Sequence, residues 1–218
     1  MSYIDSAMAK NALQKMRGFH KDVTTAYSDY GMNLLENLGR RNIVMSQTQE
    51  KFFAQELAKK YKGVTEDGRT GQPDIVIGEL GKELECKLTS RHKSGAISFQ
   101  SDYETLVKKG SLDYLYVVAD QDFESFGVFL FEGLTIDDFR PLSTGARGKV
   151  AMYKHKAMKK CKALLGSFEN INNRNLEKLE EKLSNSDLAP YEKRRLQKSV
   201  SYWESTPSKF SVHLEKVV

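Results

Sequence analysis

The sequence predicts a mixed α/β fold, a central mixed β-sheet flanked by helices, from three observations. Apolar residues recur every three or four positions through most of the first sixty residues, which is helical spacing. Two short apolar runs then meet at Gly78-Glu79-Leu80-Gly81, as the strands of a hairpin do. A short helical segment follows, and after it come two strand-like runs, Asp113 to Ala119 and Phe126 to Phe131. At 218 residues the chain suffices for one domain with a full core. Within 1–218, residues 1–45 read as a helical N-terminal segment, 46–135 as the core, and 145–218 as a basic helix, a helical pair and a final strand.

Each element has its own justification. From Ile4 to Leu38 the apolar or small positions include Met8, Ala12, Met16, Phe19, Val23 and Leu34. Gly18 and Gly31 interrupt this pattern, so one long helix and two joined segments are both allowed. A second helix is expected from Ser46, where Ser46 and Gln49 make a capping-box pattern, to about Tyr61. Its stripe holds Phe53, Ala54, Leu57 and Tyr61, and Glu50 shares that stripe while Glu56 lies on a more polar face. Residues 62–72 form a loop of turn residues in which Arg69 reads as solvated.

The hairpin spans Pro73 to Lys87. A loop symmetric about Glu79 and Leu80 sets Gly78 opposite Gly81 and Asp74 opposite Glu85. Alternation along a strand puts Glu85 and Lys87 on one face and Leu84, Cys86 and Leu88 on the other. Gln100 to Lys108 reads as a crossover helix, and Arg147 to Lys162 as a basic amphipathic helix. Ile171 to Leu183 and Pro190 to Trp203 are helical patterns, and Phe210, Val212 and Leu214 mark a half-buried last strand.

The hairpin carries the chemistry. Like charges opposed across strands, with Cβ atoms about 5 Å apart, are destabilising and call for a cation. A hard divalent ion with oxygen ligands answers that need. Mg²⁺ would bridge Asp74 and Glu85, with the Cys86 main-chain carbonyl as a candidate further ligand and Lys87 beside it as a point charge or proton-transfer group. Such a set suits phosphodiester hydrolysis. The bland alternative, an exposed hairpin with incidental acids, must explain why charges interrupt an apolar strand on one face only.

Pro73-Asp74, ten residues, then Glu85-Cys86-Lys87 resembles the motif of the PD-(D/E)XK nucleases. The resemblance covers the hairpin and the elements beside it. It implies a restriction-endonuclease-like core with helical N-terminal and C-terminal elaborations, catalytic Asp74, Glu85 and Lys87, and one or two Mg²⁺ ions for which Mn²⁺ substitutes. Members often carry an acid on the helix before the Asp strand, and Glu50 matches that position; its alternative role is a first-turn Glu favoured by the helix dipole. Gln100 matches a near-site Gln of some relatives. End-degrading relatives show Gln, three residues, then Tyr, and Tyr103 comes one position too early for that pattern. In size and in embedding its basic segments within one domain, the chain is similar to an orthodox type II restriction endonuclease. The implied partners are double-stranded DNA and a second copy of the chain. A repair, recombination or phage nuclease and a non-catalytic DNA-binding module are the alternatives.

Charge supports a polyanionic partner. The net charge is +5 and the pI near 9.0, with the excess concentrated locally. Arg91, His92 and Lys93 leave the strand that carries Glu85 and Lys87. Arg147, Lys149, Lys154, Lys156 and Lys159 belong to a run with no acid from 147 to 162, and both groups are candidate DNA contacts. Residues 171–203 are mixed in sign and read as solvated faces. The apolar runs are too short to span a bilayer and no cleavable leader is evident, so a soluble, cytoplasmic protein with no membrane partner is expected. Cys86 and Cys161 are too few for a disulfide framework, and four scattered histidines argue against zinc.

Overall fold

Asp5 starts the first helix by accepting the Met8 amide at 2.9 Å, as a short acceptor does at an N-cap. Helix α1 runs Ser6–Asp29 and stops just before Gly31, whose φ of +69° glycine adopts without penalty. Gly18 lies inside α1 without breaking it. These coordinates are a computed structural model that describes residues 2–67, 69, 71–91, 97–143, 148–205 and 210–217.

Helix α2 is Leu38–Ala58, capped by Asn37, whose side chain accepts the Arg40 amide at 3.1 Å. The expected start at Ser46 is therefore eight residues late. Ser46 sits mid-helix with its hydroxyl donating to the Ile43 carbonyl. The physical reason is Arg41, which is fully buried and so breaks the apolar periodicity. Its guanidinium donates to the Asp120 carbonyl at 3.0 Å, the Gln121 carbonyl at 2.5 Å and the Ser90 hydroxyl at 2.7 Å. It ties the start of α2 to the C-terminal ends of two neighbouring strands. Burial outweighs the nearby Asp120 and Asp122 and pulls the Arg41 pKa down to about 10.

The strands follow as β1 (Val64–Glu66), β2 (Ile75–Ile77), β3 (Lys82–Ser90) and β4 (Gln100–Asp102). After α3 (Tyr103–Lys109) come β5 (Leu112–Ala119), β6 (Ser125–Leu134) and β7 (Lys149–Ala151). The chain continues as α4 (Lys154–Ala157), β8 (Cys161–Leu165), β9 (Ser167–Asn170), α5 (Ile171–Leu183), α6 (Pro190–Ser205), β10 (Phe210–His213) and β11 (Glu215–Lys216). The main sheet has the order β1-β2-β3-β5-β6-β11, with β8 also on β6. Among the described residues only β3 and β5 run parallel in it. A parallel pair needs a crossover, and residues 91–111 with α3 supply it. The fold is mixed α/β, as expected.

Every residue of β5 is buried, which marks it as the central strand covered on both faces. Leu84, Cys86, Leu115 and Val117 join α1 and α2 in one apolar core. On the opposite face, Phe99 packs on Tyr116 and Phe131 with ring centroids 4.6 and 5.7 Å apart. Glu56, assigned a polar face from its position, is 2% exposed. Asn11, Lys15 and Lys59 reach it from 2.7 to 3.2 Å. Burial pushes its carboxyl up, but those hydrogen bonds prevail and hold it below the usual range. Glu56 is thus a structural acid between α1 and α2.

Residues 148–162 are not an amphipathic helix. The described part is β7, the single turn of α4, a 3₁₀ turn and β8. Val150 and Met152 are buried while Lys149 is exposed and Ala151 intermediate, so the period is two rather than 3.6. The expected crossover helix likewise begins as a strand, because Ile97, Phe99 and Ser101 are buried alternately with exposed Ser98 and Gln100.

The chain divides into two compact units, Met1–Ser167 with Val212–Val218, and Phe168–Ser211. The second contains α5 and α6, packed on each other, with Asn170 capping α5 through the Asn172 amide at 3.0 Å. Among the described residues no helix is long and apolar enough to cross a membrane.

Candidate active site

The hairpin fixes the site. Ile75 pairs with Leu84, Val76 with Glu83 and Ile77 with Lys82, so the register carries Asp74 to the position opposite Glu85. The turn closes through a 3₁₀ segment, Gly78–Leu80, and Gly81 at φ +59°, a conformation that suits glycine. One strand further in, Glu85 lies beside Tyr114 and Lys87 beside Tyr116 across the parallel β3–β5 ladder.

Asp74, Glu85 and Lys87 share this corner. The Cys86 amide donates to Asp74 Oδ2 at 2.6 Å, and Lys87 Nζ donates to Glu85 Oε1 at 2.5 Å. The Lys87 and Glu85 side chains are only 26% and 9% exposed. Burial raises the Asp74 pKa, Glu85 raises it further, and it reaches about 7 despite the Cys86 amide and Lys87. Burial opposes the Lys87 charge, but Glu85 and Asp74 overrule it and hold the ammonium above the ordinary lysine value. Two carboxylates thus face a single ammonium.

That arrangement fits a hard divalent cation. Glu85 Oε2 is buried and has no hydrogen-bond partner, whereas buried polar atoms are normally satisfied. Among the described residues no three His, Cys, Asp or Glu side chains gather as a ligand set. Mg²⁺ suits such a sparse set, since it keeps several waters and takes one or two carboxylates. Asp74 and Glu85 would hold it, with the carbonyl of Cys86, the residue after Glu85 on β3, as a candidate further ligand.

Glu50, on α2, is half-buried. Burial raises its carboxyl pKa, Lys87 pulls it back and Glu85 adds to the rise. It therefore senses the corner electrically but does not join Asp74 and Glu85 in a three-acid set. If it supports the cation through the field, Glu50→Gln should raise the Mg²⁺ concentration for half-maximal activity by roughly 10- to 100-fold, as loss of an outer-shell partner does. Wild-type metal dependence of that variant would leave Glu50 as a helix residue alone.

Position alone did not single out Asp102. Its charge raises the Lys87 pKa, and it pairs with Lys149 at 2.7 Å. Strand β4 reaches this neighbourhood because the Tyr116 hydroxyl donates to the Gln100 carbonyl at 2.9 Å and Ser101 Oγ meets Tyr114 Oη at 2.7 Å. Gln100 itself is exposed. The buried alternation of Ile97, Phe99 and Ser101 was the signal that could have found this strand.

The expected DNA contacts are placed unevenly. Arg91 follows β3 directly and its guanidinium donates to the Val212 carbonyl at 3.4 Å. Lys154 donates to the Ile97 carbonyl at 2.7 Å and Lys156 to the Asp137 carbonyl at 3.4 Å. Lys159 is exposed. His92, Lys93 and Arg147 lie outside the described residues. The run from 147 to 162 lacks acids of its own, but other elements bring them, with Asp138 on Lys160 and Glu132 on Lys162 as well as Asp102 on Lys149.

No protein-family model matches this chain, and no curated protein matches it. The functional reading rests on the residues themselves.

Proposed function

We propose that the protein is a Mg²⁺-dependent DNA endonuclease of the PD-(D/E)XK class, acting as a homodimer that cuts both strands at a specific sequence. One observation carries this reading: the buried Glu85 and the half-buried Asp74 flank one lysine, and an acid oxygen, Glu85 Oε2, is left without a partner. A hydrolytic site needs such an oxygen and a structural ion pair does not. Two equivalent sites are required to cut a palindrome, hence the dimer.

Each residue has a stated task. The Cys86 amide holds Asp74 Oδ2 in place, leaving Oδ1 for the cation. Glu85 divides its two oxygens, Oε1 accepting from Lys87 and Oε2 buried without a partner. Lys87 keeps its proton against burial, so it enters the reaction as a cation that can orient an attacking water and offset charge on the scissile phosphate. Bound Mg²⁺ supplies Lewis-acid stabilisation of that phosphate and a lowered pKa for its water.

Supercoiled plasmid incubated with the protein and Mg²⁺ tests the proposal. Discrete linear fragments whose sequenced ends share a motif are expected, with no cleavage in EDTA. Smears or a preference for ends or branches would assign a repair or phage-type nuclease instead. Intact plasmid under every divalent metal, with DNA binding retained, would reduce the chain to a binding module.

A further inference from the structure

The lysines from 149 to 162 are largely taken by internal acceptors, whereas helix α6 presents cations that no described carboxylate takes; Arg194 Nε donates only to the Pro190 carbonyl of its own helix, at 3.4 Å. At 3.6 residues per turn, Tyr191, Arg194, Arg195, Lys198 and Tyr202 fall within an arc of about 100°. Both acids of the helix, Glu192 and Glu204, fall outside it. Arg194, Arg195 and Lys198 are exposed, as are Tyr191 at 72% and Tyr202 at 55%. Among the described residues no carboxylate pairs with any of the three cations. A recess of about 600 Å³ lies along this face. The half-buried Leu196 and Val200 are on the other side of the helix, so its apolar packing does not compete for the stripe.

We infer that this face of α6 is a duplex-DNA contact surface, with Arg194, Arg195 and Lys198 on phosphates. Three cations free of carboxylate partners, all within four residues on one face, can each meet a phosphate, and the flanking tyrosines offer hydroxyl donors and flat surfaces against the sugars. Mixed charge across residues 171–203 hides the stripe in the sequence, because the acids segregate onto α5 and onto other faces of α6. The inference shares the DNA partner of the proposed function but needs no hydrolysis.

Fluorescence anisotropy with a labelled 30-base-pair duplex, titrated in EDTA between 50 and 300 mM NaCl, reads the contacts directly. Arg194→Gln/Arg195→Gln/Lys198→Gln should bind at least tenfold more weakly at low salt, and its log–log salt slope should fall by about 2 to 3, roughly 0.9 per lost phosphate contact. Gln keeps helix propensity, and circular dichroism checks that the unit stays folded. The charge-matched control Lys10→Gln/Lys21→Gln/Lys182→Gln alters exposed lysines elsewhere and should leave the slope near wild type. An unchanged slope in the α6 variant, or an equal fall in the control, would overturn the inference. So would loss confined to single-stranded DNA in Tyr191→Ala/Tyr202→Ala, since stacking on bases would then be the role of the stripe. Intact plasmid cleavage beside an unchanged slope sinks this surface alone, while a reduced slope without any cleavage sinks only the nuclease.

Discussion

Asp74→Asn is expected to abolish metal-dependent cleavage while making the metal-free protein more stable at pH 8. The activity loss follows from removing one of two acids that would hold the cation; a Lewis acid supplies several kcal/mol of transition-state stabilisation, so a fall on the order of 10³-fold or more is expected. The stability gain follows from the carboxyl's position. Asp74 titrates at about 7 in the fold against an ordinary 3.8. Between those values the folded protein binds a proton that the unfolded chain has released, so stability falls as pH rises across that window. Above pH 7 the penalty is complete, on the order of 4 kcal/mol. Asn keeps an oxygen for the Cys86 amide and carries no charge, so the variant should lose this pH dependence. Urea melts in EDTA at pH 5, 6, 7 and 8 measure it. Wild type and variant should diverge from pH 5 to about 7 and level off towards pH 8, and a constant gap across the whole range would show that Asp74 is already ionised without metal. Mg²⁺ should close the gap for the wild type by mass action and do nothing for the variant. Cleavage by the variant at the wild-type rate would end the nuclease proposal.

The site was legible because a hairpin is a local object. Loop symmetry alone sets the Asp74–Glu85 opposition, and the observed pairs Ile75–Leu84 to Ile77–Lys82 obey the same sum. The second unit's helix α5 was equally plain, Ile171–Leu183 in pattern and in structure, since its stripe is amphipathic without interruption. Where long-range partners decide, the sequence is mute. The first turns of α2 carry a buried arginine satisfied by residues some eighty positions away, and periodicity has no symbol for that. The segment from 149 to 162 looked like a phosphate-facing helix because its acids come from Asp102, Glu132 and Asp138. Local charge counting misread those lysines as uncompensated and, by the same error, read the α6 stripe as neutral.

Glu85→Gln and Lys87→Ala should separate the roles that the hairpin compresses into three residues. Opposition of two acids alone would make both carboxylate substitutions stabilising in EDTA, but the observed pairing gives them opposite signs. Glu85 holds the Lys87 ammonium at 2.5 Å, so its neutralisation leaves a mostly buried cation with a weaker acceptor and should destabilise the fold by ~1–2 kcal/mol. Part of that loss is returned, because removing the Glu85 charge also lowers the Asp74 pKa. The double variant with Asp74→Asn should therefore be non-additive, with a coupling of about 0.5 to 2 kcal/mol, as expected for neighbours sharing a network. Lys87→Ala removes no ligand. It should bind Mg²⁺ at least as tightly as the wild type, since a competing cation is gone, yet cleave 10²- to 10⁴-fold more slowly on the order expected for a positioned proton-transfer or charge-stabilising group. Isothermal titration with Mg²⁺ and single-turnover cleavage on the same preparations read both quantities. Weak metal binding by Lys87→Ala would mean that the ammonium orders Glu85 as a ligand, and additive carboxylate variants would mean that Asp74 and Glu85 do not share a site.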